Sequence, residues 1–299
     1  MSIKETYEHF TKSIHSVYIE REANSIGRIV FEDEFSIYAL NSQRPFPKEH
    51  QPRLKEIIKR LLTHEPIQYI LGEADFYGYK FYVNPDVLIP RQETEELVYW
   101  VKNTIQKEIF DEEGSFDDLQ YNSVRLSILD IGTGSGCIPI TLKKLIPGLE
   151  IQGYDVSEKA IKVAQQNATN LDARVSFNQI DILKKSDWSI SYCDIIISNP
   201  PYIPIKEKEL MPKRVLDYEP EVALFVENES PLIFYKTIAD LGMYYLNNYG
   251  FLFFEVNEYN ANDVVNYLES INYKDVILEN DINGKPRMIR AFRPARMID

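Results

Sequence analysis

Ser127-Ile128-Leu129-Asp130-Ile131-Gly132-Thr133-Gly134-Ser135-Gly136 is a short apolar strand that runs straight into a glycine-rich turn, and Ile138-Pro139-Ile140-Thr141-Leu142 then starts a helix. Glycines at 132, 134 and 136 tolerate positive φ and let a ligand approach the backbone without meeting a Cβ. The spacing is G-x-G-x-G, not the dinucleotide G-x-G-x-x-G, and no lysine follows the last glycine as a triphosphate site would require. Strands and helices alternate from Val124 to the end of the chain, which predicts an α/β fold with a doubly wound sheet.

Working outward, Gly153-Tyr154-Asp155 ends the next apolar strand nineteen residues after Gly136, where an acid accepts hydrogen bonds from ribose hydroxyls. Asn178-Gln179-Ile180-Asp181-Ile182-Leu183 carries a third acid at a strand end. Asp181 suits an adenine exocyclic amine, and Ile182 offers the ring an apolar surface. In open α/β sheets this edge is where ligands bind.

Ile195-Ile196-Ile197-Ser198-Asn199-Pro200-Pro201-Tyr202 is a buried central strand ending in a rigid polar tip. Each proline forces the residue before it into an extended conformation, and Pro201 removes a backbone donor. The carbonyls of Asn199 and Pro200, with the Asn199 side chain, offer acceptors to a planar NH2 group, and Tyr202 offers it a flat face.

The ordered set Asp130, Gly132-Thr133-Gly134-Ser135-Gly136, Asp155, Asp181 and Asn199-Pro200-Pro201-Tyr202 resembles the class I S-adenosylmethionine-dependent methyltransferases of the amino-methylating branch. More specifically, the chain is similar to the release-factor glutamine methyltransferases (the HemK/PrmC family). Pro66-Ile67-Gln68-Tyr69-Ile70-Leu71-Gly72, Phe76-Tyr77-Gly78, Val87-Leu88-Ile89-Pro90-Arg91-Gln92-Glu93-Thr94-Glu95 and Tyr218-Glu219-Pro220-Glu221-Val222-Ala223-Leu224-Phe225 carry the likeness beyond the cofactor motifs, as does Asp281-Ile282-Asn283-Gly284-Lys285-Pro286-Arg287. Two departures are Gln92, where many relatives have a second proline, and Val256-Asn257-Glu258-Tyr259-Asn260, which lacks the expected glycines.

The resemblance implies a Rossmann-like catalytic domain that binds S-adenosylmethionine through Asp130, Gly132, Thr133, Gly134, Ser135, Gly136, Asp155, Asp181, Ile182 and Asn199. Asn199, Pro200, Pro201 and Tyr202 would hold the substrate amide, with Asn199, Pro200 and Tyr202 serving catalysis. The implied reaction is methylation of a glutamine side-chain nitrogen (N5) in a class I peptide-chain release factor. Ribosomal-protein glutamine methylation and, further off, adenine-N6 methylation of DNA or RNA are the alternatives.

Composition narrows these choices. The 299-residue chain has a net charge of −13, most of it after residue 80 and densest at Asp111-Glu112-Glu113-Gly114-Ser115-Phe116-Asp117-Asp118. Proteins that grip duplex nucleic acid present a basic footprint, and none is visible. Arg53, Lys55, Lys59 and Arg60 are spaced for one basic helical face. The two cysteines, Cys137 and Cys193, read as buried free thiols, and no metal-ligand spacing occurs. Lys4, Glu5 and Glu8 near the start argue against a signal peptide, and no apolar run reaches membrane-spanning length, so a cytoplasmic location is expected.

Residues 1–74 are expected to form a small helical substrate-recognition domain, from Ile3, Tyr7, Phe10, Ile14 and Tyr18 onward and through helices over 26–40 and 54–62. A β-hairpin linker over 75–90, built on the aromatic alternation from Phe76 to Val83, leads into the catalytic domain, 91–299.

Overall fold

The computed structural model describes residues 1–109 and 125–295, so the acidic block Asp111–Asp118 lies outside the described residues. Chain contacts separate Met1–Glu73 with Pro212–Tyr218 from Ala74–Met211 with Glu219–Asp299.

The first unit is helical. Helix α1 (Ile3–Ser13) starts in a capping box, in which the Ser2 hydroxyl accepts from the Glu5 backbone and the Glu5 carboxylate accepts from the Ser2 backbone. The helix expected over 26–40 sits earlier, as α2 (Glu20–Ile29) followed by a π turn over Val30–Glu34. That wider turn seats Phe31 and Phe35 together against Phe46, and Ser36 then leaves helical space at φ 55°. Helix α3 (Gln51–Leu61) has Pro52 in its first turn, and α4 (Ile67–Leu71) stops at Gly72, whose φ of 76° suits a residue without a Cβ.

The expected basic face is half spent inside this unit. The Arg53 guanidinium donates to both Glu34 carboxylate oxygens (2.8 and 3.2 Å) and to the Ile70 carbonyl, while Arg60 pairs with Glu65 at 2.6 Å. Lys55 and Lys59 alone of the four stand exposed. The short helix in Pro212–Tyr218 belongs here too: Arg214 donates to Glu22 at 2.8 Å and the Tyr218 hydroxyl to the Thr63 carbonyl at 2.9 Å.

The second unit opens within the aromatic hairpin, β1 (Glu73–Phe76) and β2 (Tyr79–Tyr82), turned by Tyr77 and Gly78 at φ 52° and 80°. Phe76 and Phe81 are wholly buried in the α/β core. The helix expected from Pro90 is α5 (Gln92–Thr104). A seven-stranded sheet follows, made of β3 (Ser127–Ile131), β4 (Glu150–Asp155), β5 (Ser176–Gln179), β6 (Cys193–Ser198), β9 (Leu246–Glu255), β10 (Lys274–Asn280) and β11 (Pro286–Phe292). A small parallel pair, β7 (Ile203–Pro204) and β8 (Phe225–Val226), lies outside it. The sheet order is β10-β11-β9-β6-β3-β4-β5, and β11 runs antiparallel to its neighbours.

Because β3 leads outward to β4 and β5 while β6 and β9 lie on its other side, the strand order reverses between β3 and β6, the place where such sheets bind ligands. Alternate residues feed two cores: Ile195, Ile197 and Phe253 point to one face, and Ile196, Leu252 and Phe254 to the other. Helices cover both faces, with α5 and the helix after the glycine turn on one and Ile233–Tyr245 and Ala261–Ser270 on the other. Register aligns Ile131 with Ser198 and Ser198 with Phe254, so Gly132 and Asn199, the first residues past β3 and β6, come level with Glu255, the last residue of β9. Among the described residues no helix is long and apolar enough to cross a membrane.

Candidate active site

A cavity of about 280 Å³ opens at that edge. Gly132, Gly134, Asp155, Asp181, Ile182, Asn199, Pro200 and Pro201 line it, joined by Val87, Leu88, Pro220, Val222 and Ala223. The remaining sequence candidates, Asp130, Thr133, Ser135, Gly136 and Tyr202, are not among its lining residues.

The glycine turn explains itself locally. Gly132, Gly134 and Gly136 all have positive φ, and a Cβ on Gly134 would point into open space. Asp155 braces the turn: one carboxylate oxygen accepts from the Gly134 N–H and the other from the Ser157 N–H, both at 2.9 Å. A carboxylate has about four lone-pair sites, so both oxygens keep capacity for ribose hydroxyls. Burial raises the Asp155 carboxyl above its ordinary value, and these backbone donors oppose the rise. Asp181 lies two residues past the end of β5, held by the Leu183 N–H at 3.0 Å and by Lys184 at 3.3 Å.

Asp130 is fully buried, and neither carboxylate oxygen has a hydrogen-bond partner; the Thr133 hydroxyl is likewise orphaned. Burial lifts Asp130 to about 7; the nearby Thr133 hydroxyl pulls the other way and the Asp155 charge adds to the rise. An unmet carboxylate beside a turn that leaves room for a ligand suits a group carrying positive charge.

The Asn199 side-chain N–H donates to the Thr94 hydroxyl at 3.3 Å, and that hydroxyl donates to Glu255 at 2.6 Å. Thr94 and Glu255 are both buried. Burial raises the Glu255 carboxyl to about 7, while Thr94, Arg287 and Asn199 favour its charge and Glu93 disfavours it. Tyr202 packs against the second core, and burial pushes its hydroxyl up to about 12, helped by the Glu255 charge and opposed by Arg287 and Arg91. Arg287 is itself held by Asp281 and by the Val256 carbonyl, each at 3.3 Å. The glycine-poor run after β9 is ordered by Asn257, whose side-chain oxygen accepts from the Tyr259 N–H at 2.9 Å.

Three partnerships were not singled out from the sequence. The Arg91 guanidinium clasps Glu219 at 2.6 and 2.8 Å, joining two segments whose neighbours Leu88 and Pro220 both line the cavity. Asn167, wholly buried on the helix Glu158–Asn170, bonds the backbone of Tyr82 through both its amide atoms and also donates to the Ser135 carbonyl. Glu255 is the third. Each partner is distant in sequence: Asn167 and Glu255 show only as lone polar residues at a helix and a strand position, while Arg91 and Glu219 lie in two of the segments that carry the family likeness.

Two family models match the chain: the PrmC N-terminal domain over residues 20–72 and the methyltransferase small domain over 117–215. The release factor glutamine methyltransferase of Flavobacterium psychrophilum is 39% identical over 296 residues, 97% of this chain and 99% of that protein. Its counterpart in Bacteroides thetaiotaomicron is 39% identical over 95% of this chain and 98% of its own. The catalytic domain of human Mettl16, solved with an RNA hairpin, superposes with a TM-score of 0.53 at 14% identity, covering 85% of this chain and 84% of its own, a likeness of fold alone.

Proposed function

The chain belongs to the release factor glutamine methyltransferases, and from that membership we propose that it transfers a methyl group from S-adenosylmethionine to the side-chain nitrogen of a glutamine in a class I peptide-chain release factor. The observation that carries the site assignment is one cavity lined both by the glycine turn with Asp155 and by Asn199-Pro200-Pro201. Gly132, Gly134, Asp155, Asp181 and Ile182 would hold the cofactor, with the orphaned Asp130 supplying negative charge behind the turn. When bound, S-adenosylmethionine supplies an electrophilic sulfonium methyl.

The chain's own residues have to position a poor nucleophile. An amide nitrogen has its lone pair delocalised into the carbonyl, so orientation carries much of the rate, up to roughly 7–11 kcal/mol for such steps. Asn199 Oδ1 and the Pro200 carbonyl would accept from the two glutamine N–H bonds and favour the positive charge that builds on nitrogen. Tyr202 would back the amide plane. No strong general base is needed, because the N-methylated amide sheds its extra proton readily to water. The helical unit and its exposed Lys55 and Lys59 would add protein-recognition surface. Action on a release factor, which works in translation, would put the activity in the cytoplasm, and the charge of −13 disfavours nucleic acid as substrate.

The experiment is mass spectrometry of a purified release factor after incubation with the enzyme and S-adenosylmethionine, with titration calorimetry for the cofactor. A single added methyl on one glutamine is expected. Gly134→Val and Asp155→Ala should weaken cofactor binding, while Asn199→Ala should retain it and lose ~10²–10³ in rate. Methylation of a ribosomal protein or of adenine in place of the release factor would overturn the substrate assignment.

A further inference from the structure

We propose that Thr94 and Glu255 are positioning residues that fix the amide of Asn199 in the one orientation that turns its carbonyl oxygen, not its NH2, toward the substrate. The inference rests on the amide-holding role of Asn199 argued above. Its own support is the order of donors in a buried chain. With Glu255 ionised, its Oε2 accepts from the Thr94 hydroxyl at 2.6 Å, which commits the only proton of that hydroxyl. What remains on Thr94 Oγ1 facing Asn199 is a lone pair, and Asn199 meets it at 3.3 Å with Nδ2.

An asparagine amide is nearly symmetric in shape, so packing alone does not choose between its two flips. Here the flipped form would set Oδ1 against the Thr94 lone pair, acceptor on acceptor. Thr94 is 3% exposed and Glu255 2%, so water has little access to repair that clash. The consequence at the site is chemical. A glutamine NH2 brings two donors and needs an acceptor; a flipped Asn199 would present donors to donors.

The frame that holds the chain is stiff. Glu255 ends β9 and Asn199 follows β6, and the register pairs Ser198 with Phe254 one step before each. Thr94 sits in the first turn of α5, whose Leu97 and Val98 are wholly buried in the core. Three elements thus meet at one side-chain amide.

The test is a set of variants of the full chain, assayed by methyl transfer to an intact release factor and by calorimetry with S-adenosylmethionine. Thr94→Val removes the hydroxyl at nearly constant volume and is expected to lower kcat by about 10²-fold with unchanged cofactor affinity. Thr94→Ser keeps the hydroxyl and should restore most of the rate. In an Asn199→Ala background Thr94→Val should cost nothing further. Should Thr94→Val fail to fold, Thr94→Ala removes the same hydroxyl without adding a methyl group. A hydroxyl-deleting variant with parental kcat, or one losing the same factor in the Asn199→Ala background, would overturn the relay. Parental turnover in Asn199→Ala alone would instead defeat the amide-holding role on which the relay depends, and the relay with it.

Discussion

At the scale of single residues, Asp130 is a fully buried carboxyl with no hydrogen-bond partner. Its carboxyl has an ordinary value of 3.8 and is raised to about 7 by burial. Between those values the folded chain holds a proton that the unfolded chain has released, so stability falls as pH rises from about 4 to 7. Glu255, also raised to about 7, contributes with the same sign. Asp130→Asn should remove the first contribution and gain on the parent by roughly a few kcal/mol between pH 5 and pH 8. Urea unfolding of both proteins at the two pH values checks this, and a difference that does not move with pH would contradict it. Asn167 makes a second prediction. Asn167→Leu strips the Tyr82 backbone of both partners and Ser135 of one, and should cost about 1–3 kcal/mol for each buried group left unmet. Thermal unfolding with and without S-adenosylmethionine reads whether the glycine turn loosens along with the hairpin.

At the scale of elements, the Arg91–Glu219 clasp ties the segment before α5 to the segment before Val222 and Ala223. Arg91→Met leaves a buried carboxylate without its cation. It should lower the melting temperature and weaken cofactor binding, whereas Glu219→Gln, which keeps a hydrogen-bonding side chain, should do less. On α3, Arg53→Glu should destabilise the helical unit because it sets two acids together at Glu34, while Lys55→Glu and Lys59→Glu should stay within ~0.5 kcal/mol of the parent. Equal effects of the three reversals in denaturant titrations would refute that division. The central strands and their polar tips were legible because their apolar runs and turn residues are local signals. The pairing of Arg53 was not, since Glu34 lies beyond an irregular stretch. Nor was the π turn at Val30–Glu34, which serves a cluster of phenylalanines drawn from several segments. Glu255 reads as an ordinary strand-end acid until the sheet brings Asn199 and α5 to it.

At the scale of the whole molecule, neither unit is a single stretch of chain: Pro212–Tyr218 counts with the first, between two stretches of the second. A chain lacking residues 1–73 would leave Arg214 without Glu22 and Tyr218 without Thr63. Limited proteolysis of that shortened chain should cut between Ile203 and Phe225 faster than in the full chain, and equal rates would show that the segment holds itself. The same interleaving sets a timetable for synthesis. The first seventy-odd residues leave the ribosome early, yet Glu22 and Thr63 wait for Arg214 and Tyr218. At ~5–20 residues per second that interval is roughly 7–30 s. Throughout it the nascent helices are complete in sequence and unfinished in contacts, exposed to chaperones and proteases until the second half of the chain arrives to close them.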